Sequence, residues 1–90
     1  MVVTVELAWT GKDGVRAQET VVTESISPHG AVLRVKAHLP VTTEVVLTHH
    51  KTRQSTKARI VRTDSSNGDE IQLIAVELDV PSETFWGITF

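Results

Sequence analysis

The sequence predicts an all-β fold, and three observations lead to that class. Helical periodicity is nearly absent, whereas apolar and polar residues alternate with a period of two in segments that recur about every 10 to 15 residues. Turn residues, chiefly glycine and proline, separate these segments. The 90 residues suffice for one domain, residues 1–90, near the lower limit at which a chain buries a core alone. We therefore expect a single small barrel or sandwich of antiparallel strands.

Six segments carry the alternating pattern, and turn signals separate them. The strongest are Gly11-Lys12-Asp13-Gly14, in which Asp-Gly fits a tight reversal, and the stretch from Asp64 to Gly68. Pro40 cannot donate to a strand ladder and interrupts the pattern between the third and fourth segments. The last segment is apolar on both faces, which predicts a central position in the sheet. The predicted strands are Val3–Trp9, Val15–Glu24, Ala31–Val35, Thr43–His49, Thr56–Thr63 and Ile71–Leu78.

The C-terminal tail completes the predicted core. Pro81 to Gly87 offers an N-cap hydroxyl, an early acidic residue and a terminal glycine, which together predict a single helical turn. We expect this turn to seat Phe85 against an open end of the barrel. Because neighbouring helical residues are separated by about 100°, we expect Trp86 to stay partly exposed as a candidate protein contact, beside either the Ser25–Gly30 turn or a partner surface. The predicted core is Val5, Leu7, Val21, Leu33, Val45, Leu47, Ile60, Leu73, Val76 and Phe85.

Composition excludes several functional classes. A formal net charge of −2 gives no overall attraction to nucleic acid or to an anionic membrane. Zero cysteines exclude a disulfide framework, a thiolate zinc site and a thiol nucleophile. No apolar run approaches the length of a membrane span, and no signal-type segment follows Met1, so we expect a cytoplasmic location.

The segment Ser25-Ile26-Ser27-Pro28-His29-Gly30 carries the strongest functional signal. Proline pre-sets φ and glycine takes positive φ cheaply, so the segment predicts a turn between two strands. Two hydroxyls, backbone amides and a bare glycine form a surface that a phosphate can approach. In the alternative interpretation, the serine hydroxyls bond only to local backbone amides. The sequence leaves both interpretations open.

The same segment resembles the (Asp/Asn)-x-Ser-x-x-Gly signature of PilZ domains, small barrels best known as receptors for cyclic di-GMP, with Ser25 in place of Asp or Asn. The resemblance spans nearly the whole chain and implies a six-stranded antiparallel PilZ-like β-barrel with a short C-terminal helical turn. It also implies a bacterial signalling or regulatory domain. Three further stretches are similar to family motifs: Leu39-Pro40-Val41 followed by Glu44-Val45, with Thr43 departing from glycine; Ala75-Val76-Glu77-Leu78; and Phe85-Trp86-Gly87-Ile88.

The ligand chemistry of the family is matched only in part. Cyclic di-GMP receptors of the family carry an Arg-x-x-x-Arg stretch just before the first strand, and nothing of that kind precedes Val2. Two charge-assisted partners, each worth about 1.5–3 kcal/mol, are thereby lost, which is roughly a thousandfold in affinity. We therefore expect a non-catalytic regulatory or adaptor domain that acts through a protein partner or neighbouring domain. The alternative is a receptor that still binds cyclic di-GMP through Ser25, Ser27 and Gly30, with Arg34 or Arg59 replacing the missing pair.

A basic segment gives a second alternative. Lys51 to Arg62 holds five of the nine basic residues, which is compatible with a nucleic-acid-binding β-barrel. No aromatic residue interleaves them to stack on bases, and basic residues also protect exposed strand edges against aggregation. Nucleic acid is therefore the less favoured partner.

Metal chemistry and catalysis are not expected. His49 ends the predicted fourth strand and His50 follows it directly; neighbouring residues of an extended chain point to opposite faces, and His38 has no recognisable ligand spacing to them. A nucleophile elbow and paired acids are both missing. We expect neither a metal, nor another cofactor, nor enzymatic activity.

Overall fold

The computed structural model describes residues 2–11, 13–37, 39–65, 71–82 and 84–86, and within these ranges the chain forms six β-strands and no helix. The strands close into an antiparallel barrel in the order β1-β2-β3-β6-β5-β4, which confirms the predicted all-β class and strand number. Of the predicted helical turn, residues 83 and 87 lie outside the described residues, and the described residues 81–82 and 84–86 form an irregular entry followed by a turn. The strands are β1 (Thr4–Thr10), β2 (Arg16–Ser27), β3 (Gly30–Val35), β4 (Glu44–His49), β5 (Ser55–Ser65) and β6 (Gln72–Leu78).

Closure of the barrel pairs strands that are distant in the sequence. β1 pairs with its hairpin partner β2 and also with β4, where Val5 lies opposite His49. The last strand, β6, lies between β3 and β5, with Gly30 opposite Glu77 on one side and Ala58 opposite Leu78 on the other. The Ser25–Gly30 segment therefore lies where the end of β2 and the beginning of β3 meet the end of β6.

The barrel interior contains nine of the ten predicted core residues. Leu73 is the exception, because it faces outward and is only partly buried, whereas its neighbour Ile74 is fully buried. Leu73 and Val76 are three positions apart in one strand, and a period of two cannot direct both inward. The buried apolar residues are Val3, Val5, Leu7, Val21, Ala31, Leu33, Val35, Leu39, Val45, Leu47, Ala58, Ile60, Ile74, Val76, Leu78, Phe85 and Trp86.

Two β-bulges adjust the alternation of β2 and β5. In β5 the register shifts between Ile60 and Arg62, so that Val61 is the extra residue. Simple alternation from Ile60 would direct the Arg62 side chain into the core. The bulge instead places Arg62 opposite the outward-facing Ala75, and Arg62 is exposed.

The connection into β4 holds a β-branched residue in a glycine-like conformation. Thr42 has a φ of 76°, and the Thr43 amide donates to the Pro40 carbonyl at 3.4 Å, which makes Thr42 the third residue of a turn that demands positive φ there. The turn is held against β5, because the Thr42 amide donates to the Ile60 carbonyl at 2.7 Å and the Ile60 amide donates back to the Thr43 carbonyl at 3.0 Å. The glycine-like position is thus Thr42, and the assignment of Thr43 to it from the sequence is wrong.

We expect Thr42→Gly to raise the free energy of unfolding by about 0.5–1 kcal/mol. Relief of the left-handed backbone strain at a non-glycine residue stabilises the folded state by about 1–2 kcal/mol. The greater freedom of glycine stabilises the unfolded chain and offsets about 0.5–1 kcal/mol of this gain. Urea denaturation measures the difference. Thr43→Gly is the matched control and should destabilise, since it removes the hydroxyl that donates to the Pro40 carbonyl at 2.7 Å. A loss of stability in both variants would contradict the assignment of strain to Thr42.

Candidate functional site at the β2–β3 turn

The turn between β2 and β3 is shorter than the sequence predicts. Ser27 and Gly30 form the last pair of the ladder, so that only Pro28 and His29 lie outside the strands. Ser25 is an exposed residue of β2 opposite Val32, directly after the bulge at Glu24. The bulge accommodates one extra residue and lets strand pairing continue, which is why the prediction of a turn from Ser25 onward is too long.

The Ser27 side chain bonds to the backbone of its own turn. Its hydroxyl oxygen accepts hydrogen bonds from the amides of His29 and Gly30, each at 3.2 Å. These are the two amides that would otherwise be free to donate to a phosphate. The structure thus shows the local bonding of the alternative interpretation at Ser27.

Gly30 is required by strand packing. A Cβ atom at this position would overlap the carbonyl oxygen of Val76, and the backbone of Glu77 lies directly behind it. β3 and β6 therefore approach so closely at this pair that no side chain fits between them. The packing of the two strands accounts for the glycine without any ligand.

The carbonyl groups of the turn also accept hydrogen bonds, from the last residue of β6 and from the chain that follows it. Ser82 stands where the predicted N-cap hydroxyl lies, and its Oγ accepts from the Phe85 amide at 3.1 Å. Three donors reach the turn: the Trp86 indole N–H to the Ser27 carbonyl at 2.8 Å, the Ser82 amide to the Pro28 carbonyl at 2.8 Å, and the Leu78 amide to the His29 carbonyl at 2.7 Å.

Trp86 lies beside the turn, as the sequence predicts, but its predicted exposure is wrong. Only 1% of the residue is accessible, and the indole packs edge-to-face on Phe85 with 4.8 Å between ring centroids. The expectation rested on a helical step that turns neighbouring side chains apart. Residues 84–86 instead form a turn over the barrel end, in which both rings are buried. Trp86 is therefore removed as a contact for a protein partner.

His49 of β4 also bonds to this C-terminal turn, at the backbone of Trp86. Its Nδ1 accepts from the amides of Lys51 at 3.1 Å and Thr52 at 3.4 Å, so Nε2 carries the proton and donates to the Trp86 carbonyl at 3.3 Å. The ring is buried and lies edge-on to Phe85, with 6.1 Å between centroids. His49 is a structural residue, and its inward position in β4 is the one feature of the sequence that indicates this role.

Metal ligands do not converge in the described ranges. His49 is buried while His50 is exposed, which agrees with the expectation that the two cannot share an ion, and His38 lies outside the described residues. No group of three or more His, Cys, Asp or Glu residues in the part of the chain that the structure describes is arranged to hold a metal ion.

The two arginines proposed as replacement ligands do not converge on the turn. Arg34 is four residues from Gly30 along β3 and forms an ion pair with Glu24 at 2.9 Å. Arg59 lies two strands away, with Glu77 between it and Gly30, and approaches Glu44 at 3.9 Å. Each guanidinium already faces a carboxylate.

A shallow cleft of about 290 Å³ does exist beside the turn, and its lining includes Ser25, Ser27, Gly30, Val32, Ala75 and Glu77. Sequence reasoning missed Glu77 as part of this surface. Its signal is its position in β6, two residues beyond the outward-facing Ala75. The carboxylate of Glu77 gives the cleft a negative border.

The five residues of the basic segment are distributed over two surfaces. Lys51 and Arg53 lie in the β4–β5 connection, where Arg53 adopts a φ of 64° and pairs with Glu6 at 3.4 Å. Lys57, Arg59 and Arg62 are exposed along β5. Two of the five are thus paired with acids, and the segment does not form an uninterrupted cationic surface.

The fold and site define a small closed β-barrel domain. In its β2–β3 turn, the amides of residues 29–30 and the carbonyls of residues 27–29 all form internal hydrogen bonds. No family model, curated protein or solved structure matches the chain. No helix among the described residues is long and apolar enough to cross a membrane.

Proposed function

We propose that this chain is a non-catalytic PilZ-like regulatory or adaptor domain that acts through protein contacts and whose cyclic di-GMP site has degenerated. One observation carries the proposal. In the turn that resembles the nucleotide-binding motif, the His29 and Gly30 amides already donate to Ser27 Oγ. Its three carbonyls already accept from the end of β6 and from the segment that follows it. A ligand phosphate accepts hydrogen bonds, so it would have to displace the two bonds from the His29 and Gly30 amides to Ser27 Oγ before it gained any of its own.

The charges around the cleft support the same proposal. A ligand with two phosphates needs cationic partners, ideally bidentate ones, whereas the carboxylate of Glu77 borders the cleft. Arg34 and Arg59 would each have to leave an acid and extend toward the turn. Like charges placed together raise the free energy of the complex, so this arrangement opposes an anionic ligand.

Titration calorimetry with cyclic di-GMP tests the proposal. We expect no saturable heat at ligand concentrations up to about 1 mM, which corresponds to a binding free energy weaker than about −4 kcal/mol. The same titration with Ser27→Ala, which frees the amides of the turn, serves as the comparison. Micromolar or tighter binding by the unmodified chain that is weakened by Arg34→Ala or Arg59→Ala would establish the receptor alternative instead.

A further inference from the structure

The outer surface of β6 is apolar, although the barrel needs only its inner surface. Ile74, Val76 and Leu78 point into the core, which accounts for one apolar face of the strand. Leu73 and Ala75 point outward and are partly exposed, and Ile71, just before the strand, is 40% exposed. The closed barrel gives β6 two neighbouring strands, and no second layer of secondary structure within the described ranges covers this outer face.

Apolar residues from the adjoining strands extend this surface. Val32 of β3 pairs with Ala75, and together they border a depression of about 310 Å³ that Leu73 and Arg62 also line. Val61, the bulge residue of β5, is 46% exposed. On the other side, Arg34 of β3 lies opposite Leu73 and ends the apolar surface before β2. We call the resulting surface the outer apolar face; it consists of Val32, Val61, Ile71, Leu73 and Ala75.

The dimensions of the outer apolar face suit a weak protein contact. It spans three adjacent strands, at about 4.8 Å between neighbours, and about six residues along β6 and the residue before it, at about 3.3 Å each. The footprint is therefore on the order of 10 by 20 Å. Contiguous apolar patches of a few hundred Å² on small soluble domains are often functional, and stable interfaces bury about 800 Å² per partner. The apolar face is smaller than such an interface, so the contact it supports is weak and includes the charged residues around it.

The rim of the outer apolar face carries charges of both signs. Arg62 and Asp64 lie on β5 at one side, and Glu77 lies on β6 beyond Ala75. None of these three side chains forms an ion pair with a described residue. A surface that presents cations and anions without ion-pair partners among the described residues, around one apolar centre, is complementary to a second copy of itself, because a two-fold contact satisfies each pairing twice.

We propose that a second copy of this chain packs on the outer apolar face, so that the protein forms a two-fold symmetric pair in which β6 of each copy lies at the centre of the contact. Val32, Leu73 and Ala75 lose their exposure to water in the pair, and Arg62 meets an acidic rim residue of the partner. The pairing does not depend on whether the chain is an adaptor or a nucleotide receptor, so the calorimetric titration and the test below fail separately.

Sedimentation equilibrium of the full chain, from about 10 μM to about 1 mM, tests this pairing. We expect a monomer–dimer equilibrium with a dissociation constant in the micromolar range, as suits a small interface. Ala75→Glu and Leu73→Lys each place a charge at the centre of the contact and should raise the dissociation constant at least tenfold. Arg62→Glu, at the rim, should raise it by a smaller factor.

Val15→Glu is the matched control, because it too replaces an apolar surface residue with a charged one. Val15 is 62% exposed and lies in the β1–β2 hairpin, away from β6. It should leave the dissociation constant unchanged. Circular dichroism verifies that every variant retains the barrel. A chain that stays monomeric at 1 mM overturns the proposal and assigns the face to a different protein. A dimer that is insensitive to Ala75→Glu and Leu73→Lys, or that is lost in Val15→Glu, overturns it as well.

Discussion

Trp86→Ala is expected to lower the free energy of unfolding by about 3–5 kcal/mol, the range observed when a fully buried large aromatic residue is truncated. The indole is 1% exposed, packs on Phe85, and donates to the Ser27 carbonyl at 2.8 Å. Its removal leaves a cavity at the barrel end and an unpaired carbonyl in the β2–β3 turn. A small domain has about 5–15 kcal/mol of stability in total, so this loss is a large fraction of it.

Phe85→Ala and Trp86→Phe separate the contributions to this effect. Phe85→Ala should cost a similar amount, since that ring is also buried between His49 and Trp86. Trp86→Phe keeps most of the packing and removes the indole N–H, so we expect a smaller loss of about 1–2 kcal/mol. Chemical denaturation measures all three variants. A loss below about 1 kcal/mol for Trp86→Ala would show that the C-terminal turn is not part of the folded core.

Gly30→Ala is expected to destabilise the barrel by about 3 kcal/mol or more. The added methyl group overlaps the carbonyl oxygen of Val76, and that oxygen belongs to the strand backbone and cannot rotate away. β3 and β6 must therefore separate locally. Overpacking in a rigid environment typically costs about 1–3 kcal/mol, and an overlap with backbone atoms lies at or beyond the upper end.

Gly14→Ala is the matched control for this substitution. Gly14 has a φ of +80°, and a Cβ atom there would meet nothing within 4 Å. Its cost is that of left-handed backbone alone, about 1–2 kcal/mol. The free energy of unfolding, measured by urea titration, should therefore decrease from wild type to Gly14→Ala to Gly30→Ala. Equal losses at both glycines would show that the close approach of β3 and β6 does not constrain position 30.

The strand layout could be predicted from the sequence because most strands have one apolar and one polar face. In β3 and β4 the alternation leaves a single way to orient each strand, and both are oriented as predicted. β6 is apolar on both sides, so alternation alone could not choose between Leu73 and Ile74. In the structure Ile74 points into the core, because β6 pairs in a register that places it opposite Leu33 and Thr63.

The candidate site was less accessible to sequence reasoning because its contacts are long-range. The motif indicated that Ser27 and Gly30 belong to one turn, which is so. Nothing local revealed that residues 82–86 would cross this turn, or that the carbonyl of Val76 would lie where a side chain of residue 30 would go. These contacts depend on the barrel closing, and a pattern of neighbours along the chain does not encode its distances. Bulges, as at Glu24 and Val61, change side-chain direction without a compositional signal.

The position of β6 between β3 and β5 has a consequence for how the chain acquires its structure. During synthesis β3 emerges from the ribosome well before β6 and β5 emerges directly before it, and until β6 pairs with them each has one edge of unpaired backbone groups. The cylinder cannot close until residues 72–78 are available, and the Ser82–Trp86 segment can cover its end only afterwards. Folding is thus dominated by non-local pairing, which places small barrels in the millisecond-to-second regime. The interval before closure is the period in which nascent chains are most exposed to edge-to-edge aggregation.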